Sequence, residues 1–238
     1  MKIDAFNLDY RELNTKIKQA DSDVLIENCY GQRFIGSGLE GKNIMINGTP
    51  GNALGSYLNG AVITVNGNAQ DAVGDTMNDG KIVIDGNVGD ALGYAMRGGK
   101  IYVRGNAGYR TGIHMKEYKE KRPIIVVGGK VGSFLGEYLA GGLIVVLGLD
   151  SVEIPVGNFT GTGMHGGTIF IRSKEALPNL PAQVIAEIAT KDDMKEIEPI
   201  LCEYAECFNI NINEMMNEQF YKLKANAKNP YKQLYTAN

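Results

Sequence analysis

One short phrase recurs every 19 residues through the middle of this chain, and that period constrains the fold more than any other feature. Its clearest copies are Gly60-Ala61-Val62-Ile63-Thr64-Val65-Asn66-Gly67, Asp79-Gly80-Lys81-Ile82-Val83-Ile84-Asp85-Gly86 and Gly98-Gly99-Lys100-Ile101-Tyr102-Val103-Arg104-Gly105. A fixed period near 20 with one short apolar strand per unit marks a solenoid, because each unit buries its apolar side only by stacking on its neighbours. Seven copies close at Gly48, Gly67, Gly86, Gly105, Gly129, Gly148 and Ser173. Four and two residues before each closing position stands a β-branched aliphatic, from Ile44 and Ile46 to Ile169 and Ile171. Strand side chains alternate faces, so these columns are expected to point inward and stack as ladders along a coil.

The second half of each unit is as regular. Seven residues past the closing position fall Gly55, Gly74, Gly93, Gly112 and Gly136, and ten past it fall Leu58, Met77, Met96, Met115 and Leu139. After Gly148 these columns resume six residues late, at Gly161 and Met164. A recurrent glycine marks a corner with positive φ or close approach, and Leu or Met in a fixed slot marks an inward plug. The expected fold class is an all-β solenoid, a right-handed single-stranded parallel β-helix of about seven rungs with a helical C-terminal appendage. Right-handed coiling is expected because parallel crossovers overwhelmingly take that hand.

Three segments are expected: an N-terminal cap at 1–40, the β-helix at 41–173, and an appendage with a terminal arm at 174–238. In the cap, Asp9-Tyr10-Arg11-Glu12 resembles a capping box, with Leu13 and Ile17 one turn apart on the following helix. Val24 to Asn28 then read as an imperfect rung ending at Cys29, where strict register would turn Glu27 inward, so the strand is expected to slip. In the middle rungs the outward residues are Val62 and Thr64, Lys81 and Val83, Lys100 and Tyr102, a face expected to meet solvent, so that Lys100→Asp should be nearly silent. The next strands are apolar on both faces, with Ile124, Val126, Leu143, Val145 and Leu147 outward, and such strands are normally covered on both. The C-terminal segment or another subunit is expected to pack there. Two insertions break the period, at 116–122 and between Gly148 and Gly161, and both are plausible docking loops. Beyond Lys174, helical spacing joins Ile197, Ile200, Leu201, Tyr204, Ala205 and Phe208, and Met215, Met216 and Phe220 are expected on a second, shorter helix.

Composition narrows the functional classes. A net charge of −3 gives no electrostatic reason to expect nucleic acid or an anionic membrane surface. Cys29, Cys202 and Cys207 are too few for a disulfide framework and lack zinc-site spacing, which favours a reduced, cytoplasmic setting. No apolar run reaches a membrane span, and the N-terminus lacks an apolar signal core. Gly161-Thr162-Gly163-Met164-His165-Gly166 satisfies a dinucleotide fingerprint, but a strand rather than a helix should follow it. Gly36 to Asn43 nearly spells a phosphate loop and lacks the Ser or Thr that would hold magnesium. His114 and His165 flank inward plugs on different rungs, and no spacing forces either into a catalytic pair. No catalytic, cofactor-binding or metal-binding residue is therefore assigned.

The glycine-rich rungs, of which residues 89–105 are typical, resemble the GXGXG domain that closes the large subunit of glutamate synthase. A similar β-helix forms one of the subunits of formylmethanofuran dehydrogenases. The flanks, with Tyr10-Arg11-Glu12-Leu13-Asn14 and Asn229-Pro230-Tyr231, resemble the free-standing version encoded as a separate glutamate synthase subunit. That resemblance implies a non-catalytic structural subunit of an oxidoreductase, scaffolding an amidotransferase subunit and a flavin and iron–sulfur subunit, so that FMN and iron–sulfur clusters are expected on partners and none in this chain. The alternatives are a scaffold in a formylmethanofuran dehydrogenase-like complex and a β-helical acyltransferase with His114 or His165 as base. A homo-oligomer is the alternative state of the isolated chain.

Overall fold

The computed structural model describes residues 1–177 and 180–226. The chain runs β1 (Lys2–Asp4), α1 (Tyr10–Gln19), β2 (Val24–Tyr30), β3 (Asn43–Thr49), β4 (Asn59–Asn66), β5 (Asp79–Ile84), β6 (Lys100–Val103), β7 (Ile124–Val127), β8 (Ala140–Val146), β9 (Gly166–Arg172), β10 (Val184–Ile188), α2 (Lys191–Phe208), α3 (Ile212–Met216) and β11 (Phe220–Ala225). One sheet holds every strand in the order β1 to β9, then β11, then β10. Pairing is parallel from β1 to β9, so the chain winds as a parallel β-solenoid of about eight turns. The rung at β2 is the turn beyond the seven expected.

The inward ladders follow the period of two. Ile44, Ile63, Ile82, Ile101, Ile125, Ile144 and Ile169 are successive partners across the sheet, and Ile46, Val65, Ile84, Val103, Val127, Val146 and Ile171 form the parallel column. All are buried, as are the plugs Leu58, Met77, Met96, Met115, Leu139 and Met164. The slip at β2 is a register shift between Ile26 and Cys29, with Asn28 at φ +55° taking the extra position. It turns Val24 and Ile26 inward and leaves Glu27 outside, where it meets Lys2 at 3.3 Å and accepts from Asn47 at 2.9 Å.

Corner glycines take φ between +63° and +73°, and a Cβ added at Gly55 would lie 2.5 Å from Ile82 Cδ1 of the next rung. Their neighbours two residues away on either side are also left-handed. Ala53, Tyr57, Ala72, Thr76, Ala91, Ala95, Arg110, His114, Phe134 and Tyr138 hold φ between +51° and +65°, although they carry side chains. Stacking on identical turns supplies backbone bonds that hold this conformation, such as Tyr57 N–H to Asp75 O at 2.8 Å and Ala95 N–H to Ile113 O at 2.9 Å. Two side-chain ladders stitch the turns as well. Asn68, Asn87 and Asn106 each accept the backbone N–H one turn later at 2.7–2.8 Å, and Asp71 and Asp90 do the same at 2.8–2.9 Å.

The apolar outer strands are covered by the chain itself. Ile197, Leu201, Tyr204, Ala205 and Phe208 of α2 lie with Met215 and Phe220 against Val83, Tyr102, Ile124, Val126, Leu143, Val145, Leu147 and Phe170. The cover reaches further than the sequence implied, because Val83 and Tyr102, expected at a solvated face, are buried under it. Phe220 is also not helical. It opens β11, which inserts antiparallel between β9 and β10, so the C-terminal segment extends the sheet as well as covering it. A capping box from Thr190 and Asp193 starts α2, which runs through Pro199, and Lys222 of β11 donates to Asp193 at 2.6 Å. At the other end the Asp9–Glu12 capping box forms, α1 buries Leu13 and Ile17, and Lys42 Nζ donates to Ile17 O at 2.9 Å. The terminal arm at 231–238 and the Asn229-Pro230-Tyr231 signature lie outside the described residues.

Candidate interaction surface

Two neighbouring rungs place Lys81 and Lys100 side by side on the outer face, because β5 and β6 pair them directly. Glu203 of α2 reaches down between them. Its Oε1 lies 3.3 Å from Lys81 Nζ, and its Oε2 accepts from Lys100 Nζ and from Tyr102 Oη, the latter at 3.0 Å. Burial alone would raise the Glu203 pKa, but hydrogen bonds from Lys100 and Tyr102 and the Lys100 charge hold it below the ordinary value. Burial, followed by the Glu203 charge, pushes the Tyr102 phenol up and keeps it protonated. Lys100 is therefore half-covered and ion-paired. Its replacement by Asp sets two carboxylates together, and a loss of about 1 kcal/mol in urea unfolding is expected in place of the near-silence the sequence implied.

A lowered carboxylate pKa contributes stability that is present above the unfolded value and lost as pH falls through the folded one. The α2 contact should therefore weaken below the ordinary glutamate range of about 4. Near-UV circular dichroism of Tyr102 and Tyr204 should report the loss, and Glu203→Gln should flatten that pH dependence.

The left-handed corners turn side chains outward in columns, and several are aromatic. The His114 ring stacks on Tyr138 at 5.0 Å and 7°, and meets Tyr94 edge-on at 6.0 Å. In the neighbouring column Phe134 stacks on Phe159 at 5.0 Å, and Arg110 lies over Phe134 while its Nε donates to Glu137 at 3.1 Å. Tyr57, Tyr94 and Phe159 are open to solvent. The sequence gives no sign of this strip, because its periodicity marks the corner positions only as glycine slots.

His165 lies on a later turn, with Nδ1 3.1 Å from Gly163 O. Each histidine thus holds a corner position on its own turn, His114 against tyrosine rings and His165 against a backbone carbonyl. The fingerprint at 161–166 runs into β9, and the near-phosphate-loop at 36–43 runs into β3. Among the described residues, no group of three or more His, Cys, Asp or Glu is placed to hold a metal ion, and no helix is long and apolar enough to cross a membrane. All three cysteines are free. Cys29 is buried and its thiol is pushed up to about 11 by that burial, while Cys202 is exposed. A thiol reagent at pH 8 should label Cys202 in the native protein and reach Cys29 only on unfolding, as peptide mapping would show.

The first insertion is pinned to the shaft. Tyr118 and Lys121 exchange backbone hydrogen bonds of 3.1 Å, Lys121 pairs with Asp79 at 2.8 Å, Arg122 with Glu196 of α2 at 2.9 Å, and Glu117 accepts from Gly142 N–H at 3.1 Å. A groove of about 570 Å³ separates the hairpin from the earlier rungs, with Tyr57 and Tyr118 among its walls. The second insertion is tied by Lys130 to Glu153 at 2.7 Å and by a bridge from Val131 to Val156, and its tip, Val152, is fully exposed.

A family model described as GXGXG motif matches residues 10–229. The chain belongs to the GXGXG motif family. The match takes in α1, the solenoid from β2 to β9 and the C-terminal cover, so the GXGXG unit in this chain is more than the repeat alone. An uncharacterized protein of Methanocaldococcus jannaschii is 41% identical over 249 residues, covering 98% of this chain and 95% of that protein. The similarity therefore extends over the full GXGXG architecture, both flanks included.

Proposed function

We propose that this chain is a non-catalytic structural subunit of a glutamate synthase-like oxidoreductase, positioning an amidotransferase subunit relative to one that carries FMN and iron–sulfur clusters. The observation that carries this reading is the GXGXG match across residues 10–229, joined to the resemblance of the glycine-rich rungs to the closing domain of glutamate synthase. The surface chemistry agrees with it. The apolar outer strands are occupied by α2, while the aromatic corner strip and the two insertions are among the exposed surfaces a partner could use. Such a subunit would be inert alone and would act in the cytoplasm.

Affinity purification of the tagged chain from its own cells at low salt, followed by mass spectrometry, tests the proposal. An amidotransferase-like and a flavin or iron–sulfur subunit in fixed ratio is the expected result. Metal-pterin partners would move the chain to a formylmethanofuran dehydrogenase-like complex. Recovery as a homo-oligomer without partners would remove the scaffold role.

A further inference from the structure

The chain carries a net charge of −3, yet one cleft of about 380 Å³ gathers Lys81, Lys100, Lys121 and Arg122 against only two lining carboxylates, Asp79 and Glu203. Three segments distant in sequence build it: the outer face of β5 and β6, the pinned insertion hairpin, and α2. The hydrogen-bond count is as uneven as the charge. Both Glu203 oxygens are already occupied, one by Lys81 and the other by Lys100 and Tyr102. Asp79 already accepts from Gly80 N–H and pairs with Lys121, each at 2.8 Å. An ammonium has three donors, and each of the three lysines uses one in these contacts, so two remain on each. Arg122 directs one nitrogen to Glu196 at 2.9 Å, while its buried Nε, 3.6 Å from Glu117 Oε1, makes no hydrogen bond. The cleft has donors to spare and its own acceptors are engaged.

An acceptor-rich ligand of double negative charge complements such a site, since charge-assisted hydrogen bonds from several ammonium groups are stronger than neutral ones. We propose that this cleft binds a small dianionic oxyanion, a phosphate or a dicarboxylate, which ties the insertion hairpin to β5, β6 and α2. The site lies wholly within one chain, so its existence does not depend on the scaffold reading.

The test is a titration of the ¹⁵N-labelled full chain at low salt with inorganic phosphate and, separately, with succinate, followed by amide shifts. Saturable shifts at Gly80, Gly99 and Lys100 are expected with one or both probes, and the probe that saturates identifies the oxyanion class. Lys121→Gln should weaken binding about tenfold, as loss of one charge-assisted contact does. Lys81→Gln, on the sheet side, should weaken it likewise. Lys119→Gln removes the same charge from the same hairpin but does not line this cleft, and it should leave affinity unchanged. Shifts that grow linearly without saturation for both probes would overturn the proposal. So would equal weakening by Lys119→Gln and Lys121→Gln, which would reduce the effect to overall charge.

Discussion

Val103→Asp is expected to abolish cooperative folding. Val103 is fully buried in the inward ladder between Ile84 and Val127 and is surrounded by the stacked aliphatics of adjacent turns. A carboxylate there has no partner, and burying an unpaired polar group costs several kcal/mol even when it is protonated to avoid the charge. A domain with a total stability of about 5–15 kcal/mol does not tolerate that loss at a central rung. Because each turn is supported by its neighbours, the defect also breaks the shaft into two shorter stacks. The measurement is a urea titration followed by far-UV circular dichroism, with Thr64→Asp as control. Thr64 sits on the outward face of β4, beyond the residues that α2 covers, and its replacement should cost less than about 1 kcal/mol. Equal destabilisation by the two variants would mean that Val103 does not face the interior of the coil.

Tyr204→Ala should leave the coil wound and release its cover. The Tyr204 ring is fully buried, edge-on to Tyr102 at 5.8 Å and tilted against Phe208 at 4.8 Å, and its hydroxyl donates to Val103 O at 3.1 Å. Large-to-small replacement of a buried aromatic costs about 3–5 kcal/mol, and here the loss falls on the α2–sheet contact rather than on the inward ladders. The expected result is a native-like far-UV spectrum with new dye binding and self-association, because undocking bares Tyr102, Val126, Leu143, Val145 and Phe170 as one apolar patch. Tyr204→Phe, which removes only the hydroxyl contact, should cost about 1 kcal/mol and leave α2 in place. Hydrogen exchange discriminates the outcomes. Protection of α2 amides retained in Tyr204→Ala would show that the helix is held without this anchor.

The inward half of the fold was legible because a period of 19 residues superposes chemically similar side chains, and burial tolerates only apolar ones in those columns. Asn68, Asn87 and Asn106, one residue past three successive closing glycines, and Asn52, Asp71 and Asp90, four past, carried a shorter signal of the same kind, which becomes interpretable only once their oxygens are seen to accept the N–H of the next turn. The left-handed corners at Ala53, Tyr57, Arg110 and His114 left no mark, since no residue type announces a φ that neighbouring turns enforce. Hence the aromatic strip was invisible. Lys81 and Lys100 suggested solvent because charge usually does, whereas a long stem can lie beneath a helix and still deliver its ammonium to Glu203. Phe220 misled for a related reason. Its helical spacing from Met216 is real, but Phe220 to Ala225 find their partners in β9 and β10, which no local pattern records.

The place of β11 in the sheet has a consequence for how the protein is made. On the ribosome, successive turns can wind as they emerge, each onto the last, from β2 to β9. The strand that closes the free edge of β9 is the last described strand to be synthesised, and the helix that shields the outer face precedes it with α3 in between. Until α2 has emerged the nascent shaft carries a bare apolar flank, and until about residue 225 clears the exit tunnel it carries an open strand edge as well. Chains stalled or truncated before β11 are therefore the sticky form of this protein, and the pairing of β11 with β9 is the step that removes that edge.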